Sequence, residues 1–119
     1  MQTFRFLDFN VYKDSKNFYK TVVSVTKEFP HIFEDLKKQL IRAALSILLN
    51  IAEGSAKKSD KDFNRYIENA LGSVNESVAV LDIAFDNKLI SDNSFKATIE
   101  LAEQIAKQLG GLSKKLKSS

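Results

Sequence analysis

The chain has no cysteine. That excludes a disulfide framework and any thiolate metal site, and it fits a reducing compartment, so the expected location is the cytoplasm. Only one proline and four glycines interrupt 119 residues. Long helices therefore meet few obstacles, whereas a sandwich of many short strands would need frequent turn residues. The single histidine, His31, has no second imidazole with which to share a metal. No Glu-x-x-His pair of the di-iron bundles occurs, and no glycine-rich phosphate loop. No nucleophile stands out beside a base, and no pair of tuned carboxylates. The expectation is a protein that is not an enzyme and carries no cofactor. Residues 1–9 form a short aromatic run broken by Arg5 and Asp8, without the apolar stretch of a secretory signal. The most apolar segment, residues 41–52, contains Arg42, Ser46 and Asn50 and is too short to span a bilayer, so no membrane partner is expected.

What is present reads as one folded domain over residues 1–119. The hydrophobic fraction is 44% and the charged fraction 28%. Periodicity predicts four helices, at about 8–28, 34–53, 59–87 and 92–116. Val11, Phe18, Val22, Val25 and Phe29 recur at helical spacing in the first, with Asp8 as its N-cap and Pro30 ending it. The second is apolar on nearly every side and must be covered by neighbours. Gly54 offers it a left-handed cap. The third opens at Ser59 with a capping box and carries Phe63, Ile67, Ala70, Val74, Ser77, Leu81 and Phe85. Leu89 and Ile90 should plug the end of the bundle. The fourth starts near Ser91 or Asp92, with Gly110 and Gly111 weakening its last turns and the lysines at 114, 115 and 117 forming a frayed tail. Such elements pack most simply as an all-α, antiparallel up-down-up-down four-helix bundle.

Two features of this pattern call for explanation. Gln39, Arg42, Ser46, Asn50 and Glu53 follow one another at steps of three and four, so they line one face of the second helix. They are either a solvated or register-fixing polar line, with Arg42 paired to a carboxylate such as Glu76, or a surface for a subunit or ligand. The second feature is a basic cluster at Lys57, Lys58, Lys61 and Arg65, with Lys58, Lys61 and Arg65 spaced to share one helical face. It is either a solvated turn or a phosphate-binding corner beside a helix N-terminus. Lys37, Lys38 and Arg42 form a further basic group. Lysine outnumbers arginine, which suits phosphate contact better than bidentate base reading.

The run Gln39-Leu40-Ile41-Arg42-Ala43-Ala44-Leu45-Ser46-Ile47, followed by Asn50-Ile51-Ala52-Glu53-Gly54-Ser55, resembles the signature of the bacterial four-helix bundle proteins named after the intervening sequences of 23S ribosomal RNA. The likeness extends through Phe6-Leu7-Asp8, Val11-Tyr12, Phe29-Pro30, Lys58-Ser59, Asp62-Phe63, Arg65-Tyr66, Ala70-Leu71-Gly72-Ser73 and Glu76. Asp35, Leu48-Leu49 and the lysines after Gly54 depart from the usual pattern. The resemblance implies an up-down bundle that assembles into a ring, a homopentamer. It also implies kinship with the accessory protein of diversity-generating retroelements, which binds a reverse transcriptase and nucleic acid through a basic surface. The family's polar motif corresponds here to Arg42, Ser46, Asn50, Glu53 and Gly54. Two functions follow as expectations: RNA or DNA backbone binding, or a protein-interaction scaffold or adaptor without a nucleic-acid role.

Overall fold

Two serines set the starts of the longest helices. The Ser59 hydroxyl accepts the backbone N–H of Asp62 at 3.1 Å, and the Ser91 hydroxyl accepts that of Ser94 at 3.1 Å. In a computed structural model describing residues 3–119, these caps begin α3 (Asp60–Asp86) and α4 (Asp92–Lys117). They follow α1 (Asn10–Thr26) and α2 (Glu34–Ser55). The polypeptide forms an all-α four-helix bundle, 45 Å long and 24 by 20 Å across, with α1 beside α2, α2 beside α3, and α4 closing on α3 and α1.

The start of α1 differs from the expectation. Asp8 lies inside a short 3-10 turn, Arg5–Asp8, and Phe9 occupies the cap position with no side-chain bond to the helix. The aromatic residues explain this. Phe6 meets Tyr12 edge to face at 4.9 Å, which folds the entering chain back on the helix. At the other end, the Phe29 N–H returns to the Thr26 carbonyl at 3.1 Å, and Pro30 leads into a second 3-10 turn, His31–Phe33. Glu34 and Asp35 then face the positive end of the α2 dipole.

The apolar stripes meet as their spacing predicts. Phe18 and Val22 of α1, Leu40, Ala44, Ile47 and Ile51 of α2, Ile67, Ala70 and Leu81 of α3, and Ile105 and Leu109 of α4 are wholly excluded from water. Ser15, Thr26, Ser77 and Thr98 are excluded too. Periodicity places only Ser77 in a stripe. Each donates its hydroxyl to the carbonyl one turn earlier, at 2.6–2.9 Å. That bond lets a small polar residue fill an apolar layer without losing a hydrogen bond to water. Ile90 is buried, Leu89 packs beside it, and the stacked rings of Phe85 and Phe95, with centroids 4.2 Å apart, close the same end.

The glycines also depart from the sequence reading. α2 continues through Gly54 to Ser55, and no glycine among the described residues has a positive φ. The left-handed position falls instead on Lys88, at φ 61°. The Lys88 N–H bonds the Phe85 carbonyl and the Leu89 N–H bonds the Ala84 carbonyl, which is the Schellman closure of α3. α4 stays helical across Gly110 and Gly111 to Lys117. The basic C-terminal segment is not frayed, because Ser113 is buried, Leu116 packs on the core, and Lys117 pairs with Glu68 of α3 at 3.4 Å. Among the described residues, no helix is long and apolar enough to cross a membrane.

A left-handed lysine carries a Cβ penalty that glycine lacks. Replacing Lys88 with glycine should therefore raise the unfolding free energy by about 0.5–1 kcal/mol. The check is the urea midpoint of the Lys88→Gly protein. An unchanged or lower midpoint would show that the turn tolerates lysine without strain.

Candidate nucleic-acid interface

The antiparallel order brings three distant segments to one end of the bundle. The first is Arg5, ahead of α1. Its Nε and Nη2 donate to the Ser55 carbonyl at 3.1 and 2.9 Å. A cation at the C-terminal end of α2 also complements the negative end of that helix dipole. The guanidinium lies 5.4 Å from the Phe63 ring centroid and 5.8 Å from that of Phe9. The second segment is the α2–α3 turn with Lys57, Lys58 and Lys61 and, one turn on, Arg65. Lys57 Nζ lies 5.1 Å from the centroid of Tyr66, and the Arg65 guanidinium carbon lies 5.0 Å from it. One ring therefore holds two cations within about 10 Å of each other, on the scale of neighbouring phosphates. The third segment is the last turn of α4, with Lys114, Lys115 and Lys117. Lys117 reaches Glu68, and the Ser119 hydroxyl reaches the Asp60 carboxylate, so this turn is tied to α3.

One expectation about the cluster fails in detail. Lys58 precedes the N-cap Ser59, so it does not share a face of α3 with Lys61 and Arg65. The cluster is also balanced within its own segment. Glu53, Asp60, Asp62 and Glu68 interleave with Lys57, Lys58, Lys61 and Arg65, and Asp62 approaches Arg65 to 3.9 Å. The positive excess comes from the other segments. Divided at the midpoint of each helix, the half holding residues 3–17, 46–72 and 106–119 has eleven Lys and Arg against six Asp and Glu, net +5. The opposite half has seven against nine, net −2. The molecule is charged lengthwise, and its modest overall +3 conceals this.

The polar line of α2 runs along the α2–α3 side of the bundle. Gln39, Ser46 and Asn50 are half-buried, and Arg42 and Glu53 are exposed. Ser73 of α3 donates to the Ser46 hydroxyl at 2.8 Å, and Asn50 Nδ2 donates to the Ser46 carbonyl at 2.9 Å. Gln39 donates to Glu76 and accepts from Arg42. Arg42 thus meets Glu76 only through an amide, not by the direct pairing anticipated. Beside the line, Leu45 and Leu49 are 37% and 57% exposed. Together with Arg42, Ser46, Asn50 and Glu53 they border an open groove of about 300 Å³. α2 is therefore not wholly covered within one copy, contrary to what its composition requires.

Gly54 ends this face for a steric reason. A Cβ there would lie 2.8 Å from the Tyr66 Cβ and 3.0 Å from Phe63 Cδ1. The bare glycine lets α2 and α3 approach just below the basic turn, and it backs the two aromatic residues that carry Arg5, Lys57 and Arg65. Arg5, Phe63 and Tyr66 had not been singled out as site residues. Nothing local marks Arg5, because its partner Ser55 lies 50 residues away.

The family model for the 23S rRNA-intervening sequence protein matches residues 7–111. The chain belongs to that family. Among solved structures it is similar to a protein of unknown function from the S23 ribosomal protein family of Bacteroides thetaiotaomicron, with 27% identity and a TM-score of 0.73. That match covers 87% of this chain and 98% of the other. No curated protein matches. The matched span contains the whole polar line and Lys57, Lys58, Lys61 and Arg65, but excludes Arg5 and the lysines from 114 onward. No group of three or more His, Cys, Asp or Glu among the described residues is placed to hold a metal.

Overpacking a helix contact costs about 1–3 kcal/mol. The Gly54→Ala protein should lose that much stability in chemical denaturation, although alanine is the better helix former at an unconstrained site. A gain in stability would mean that the contact can open without cost.

Proposed function

We propose that this family member is a non-enzymatic bundle protein that assembles into a ring and binds RNA or DNA backbone with its basic end. One observation carries the binding half of the reading: the half of the molecule that gathers Arg5, the α2–α3 turn and the end of α4 is net +5. Lys61 lies in the first turn of α3, at the positive end of that helix dipole, which favours anions, and phosphate contact by lysine is indifferent to base sequence. The family's name adds support, since it ties these proteins to a ribosomal RNA setting.

The assembly half rests on exposed apolar surface. A ring needs two different faces that fit one another, so that each copy hands on the same contact. Leu45 and Leu49, next to Arg42, supply one face. The other is the groove of about 610 Å³ between α3 and α4, where Val78, Phe95 and Ile99 are rimmed by Asp82 and Glu103. Leucines beside a cation would meet an apolar trough beside acids. The resemblance in the motif implies five copies. A scaffold that captures only protein would use the same α2 face and would leave the basic end idle.

If the basic end binds phosphates, affinity for an oligonucleotide should fall steeply with salt, with a log–log slope of about −0.7 to −0.9 per phosphate neutralised. The Lys58→Glu, Arg65→Glu double variant should flatten that slope and weaken binding at low salt, as fluorescence anisotropy would record. A wild-type affinity that ignores salt would favour the protein scaffold.

If α2 carries the ring contact, the Leu45→Glu, Leu49→Glu variant should remain helical by circular dichroism. It should scatter light as a 13.4 kDa monomer while the wild type scatters as a multiple of that mass. Equal masses for the two proteins would remove α2 from the contact.

A further inference from the structure

The aromatic residues of the basic end point to a strandedness preference, an inference that rests on the nucleic-acid reading above. Phe4 is 54% exposed, and it stands directly before Arg5 in the positively charged half. A single exposed apolar side chain is ordinary on a protein surface. The surroundings of this one are not ordinary. Arg5 is pinned by two hydrogen bonds to the Ser55 carbonyl and lies over Phe63 and Phe9. The Leu7 N–H bonds the Phe4 carbonyl at 3.1 Å, and the Phe6 ring meets Phe4 edge to face at 6.4 Å and 69°. In that geometry Phe6 can cover at most one face of the Phe4 ring. Phe4 is thus an aromatic ring on a backbone held by that turn, with a face that no other described ring covers. One turn beyond Phe63, Tyr66 holds Lys57 and Arg65.

Cations that track a backbone, interleaved with an available aromatic face, are what an unpaired strand requires. Its bases can leave one another and stack on protein rings, while its phosphates meet lysine and arginine. A duplex offers the same phosphates, but its bases are already stacked and hidden. We propose that the basic end selects single-stranded over double-stranded nucleic acid, with Phe4 as a stacking platform for one unpaired base and Lys57 and Arg65 holding the adjacent phosphates.

The test compares the 119-residue protein on a labelled unstructured strand of about twelve nucleotides and on the duplex of the same sequence. Phe4 is exposed, so Phe4→Leu keeps an apolar side chain there and removes only the aromatic face. Base–aromatic stacking contributes about 1–3 kcal/mol, so Phe4→Leu should weaken single-strand binding roughly 5- to 150-fold and leave duplex binding within about twofold. Phe4→Trp should keep or exceed the wild-type affinity for the strand. Equal loss on strand and duplex, or no loss on the strand, would overturn the stacking assignment while leaving phosphate binding intact. Binding confined to the duplex would also overturn it. Retention of neither nucleic acid would overturn this inference together with the nucleic-acid reading.

Discussion

The close approach of α2 and α3 at Gly54 is the constraint on which the basic end of the bundle depends. Without a Cβ at that position, the Tyr66 Cβ and the Phe63 ring come into direct contact with α2. Those two aromatic residues then serve as mounts. Phe63 carries Arg5, which also satisfies the Ser55 carbonyl at the end of α2, and Tyr66 carries Lys57 and Arg65. A side chain as small as alanine would have to separate the helices, and the cations would separate with them. One packing contact thus links helix crossing, helix capping and the arrangement of positive charge.

α2 has two faces with different work. The inner face is apolar and completes the core through Leu40, Ala44, Ile47 and Ile51. Next to it, Ser46 and Gln39 bond to α3, and Asn50 bonds back to Ser46, so the line fixes the register of the pair. The outer face leaves Leu45 and Leu49 in water beside Arg42. A polar ladder along one helix contact excludes a slip of one turn, because a slip would leave half-buried donors and acceptors unmatched. The exposed leucines have no such partner within the copy, so they remain available to another molecule.

The charge distribution depends on topology. Antiparallel packing puts the start of α1, the end of α2, the start of α3 and the end of α4 together. Lysines separated by more than 50 residues become neighbours, and the acidic residues at the α1–α2 and α3–α4 connections collect at the far end. A net +5 half facing a net −2 half orients the molecule toward a polyanion more effectively than an even +3 would. Burial of Ser113 and the Lys117–Glu68 pair keep the last lysines of α4 in this arrangement.

Apolar spacing, the serine caps and the Phe29-Pro30 stop determined four helices, their approximate limits and the core stripes, because these signals act between residues a few positions apart. The same local spacing picked out the polar line and the basic turn. Sequence spacing misassigned Asp8 as a cap, Gly54 as a left-handed stop and residues 114–119 as a frayed tail. Each of those roles was decided by packing that spacing does not report: the Phe6 ring on Tyr12 close by in sequence, and, farther off, the closeness of Tyr66 and the side chains of Glu68 and Asp60. The capping of α2 by Arg5 and the uncovered leucines likewise belong to the tertiary structure alone. Periodicity reports which side of a helix is apolar, but only packing decides what, if anything, covers that side.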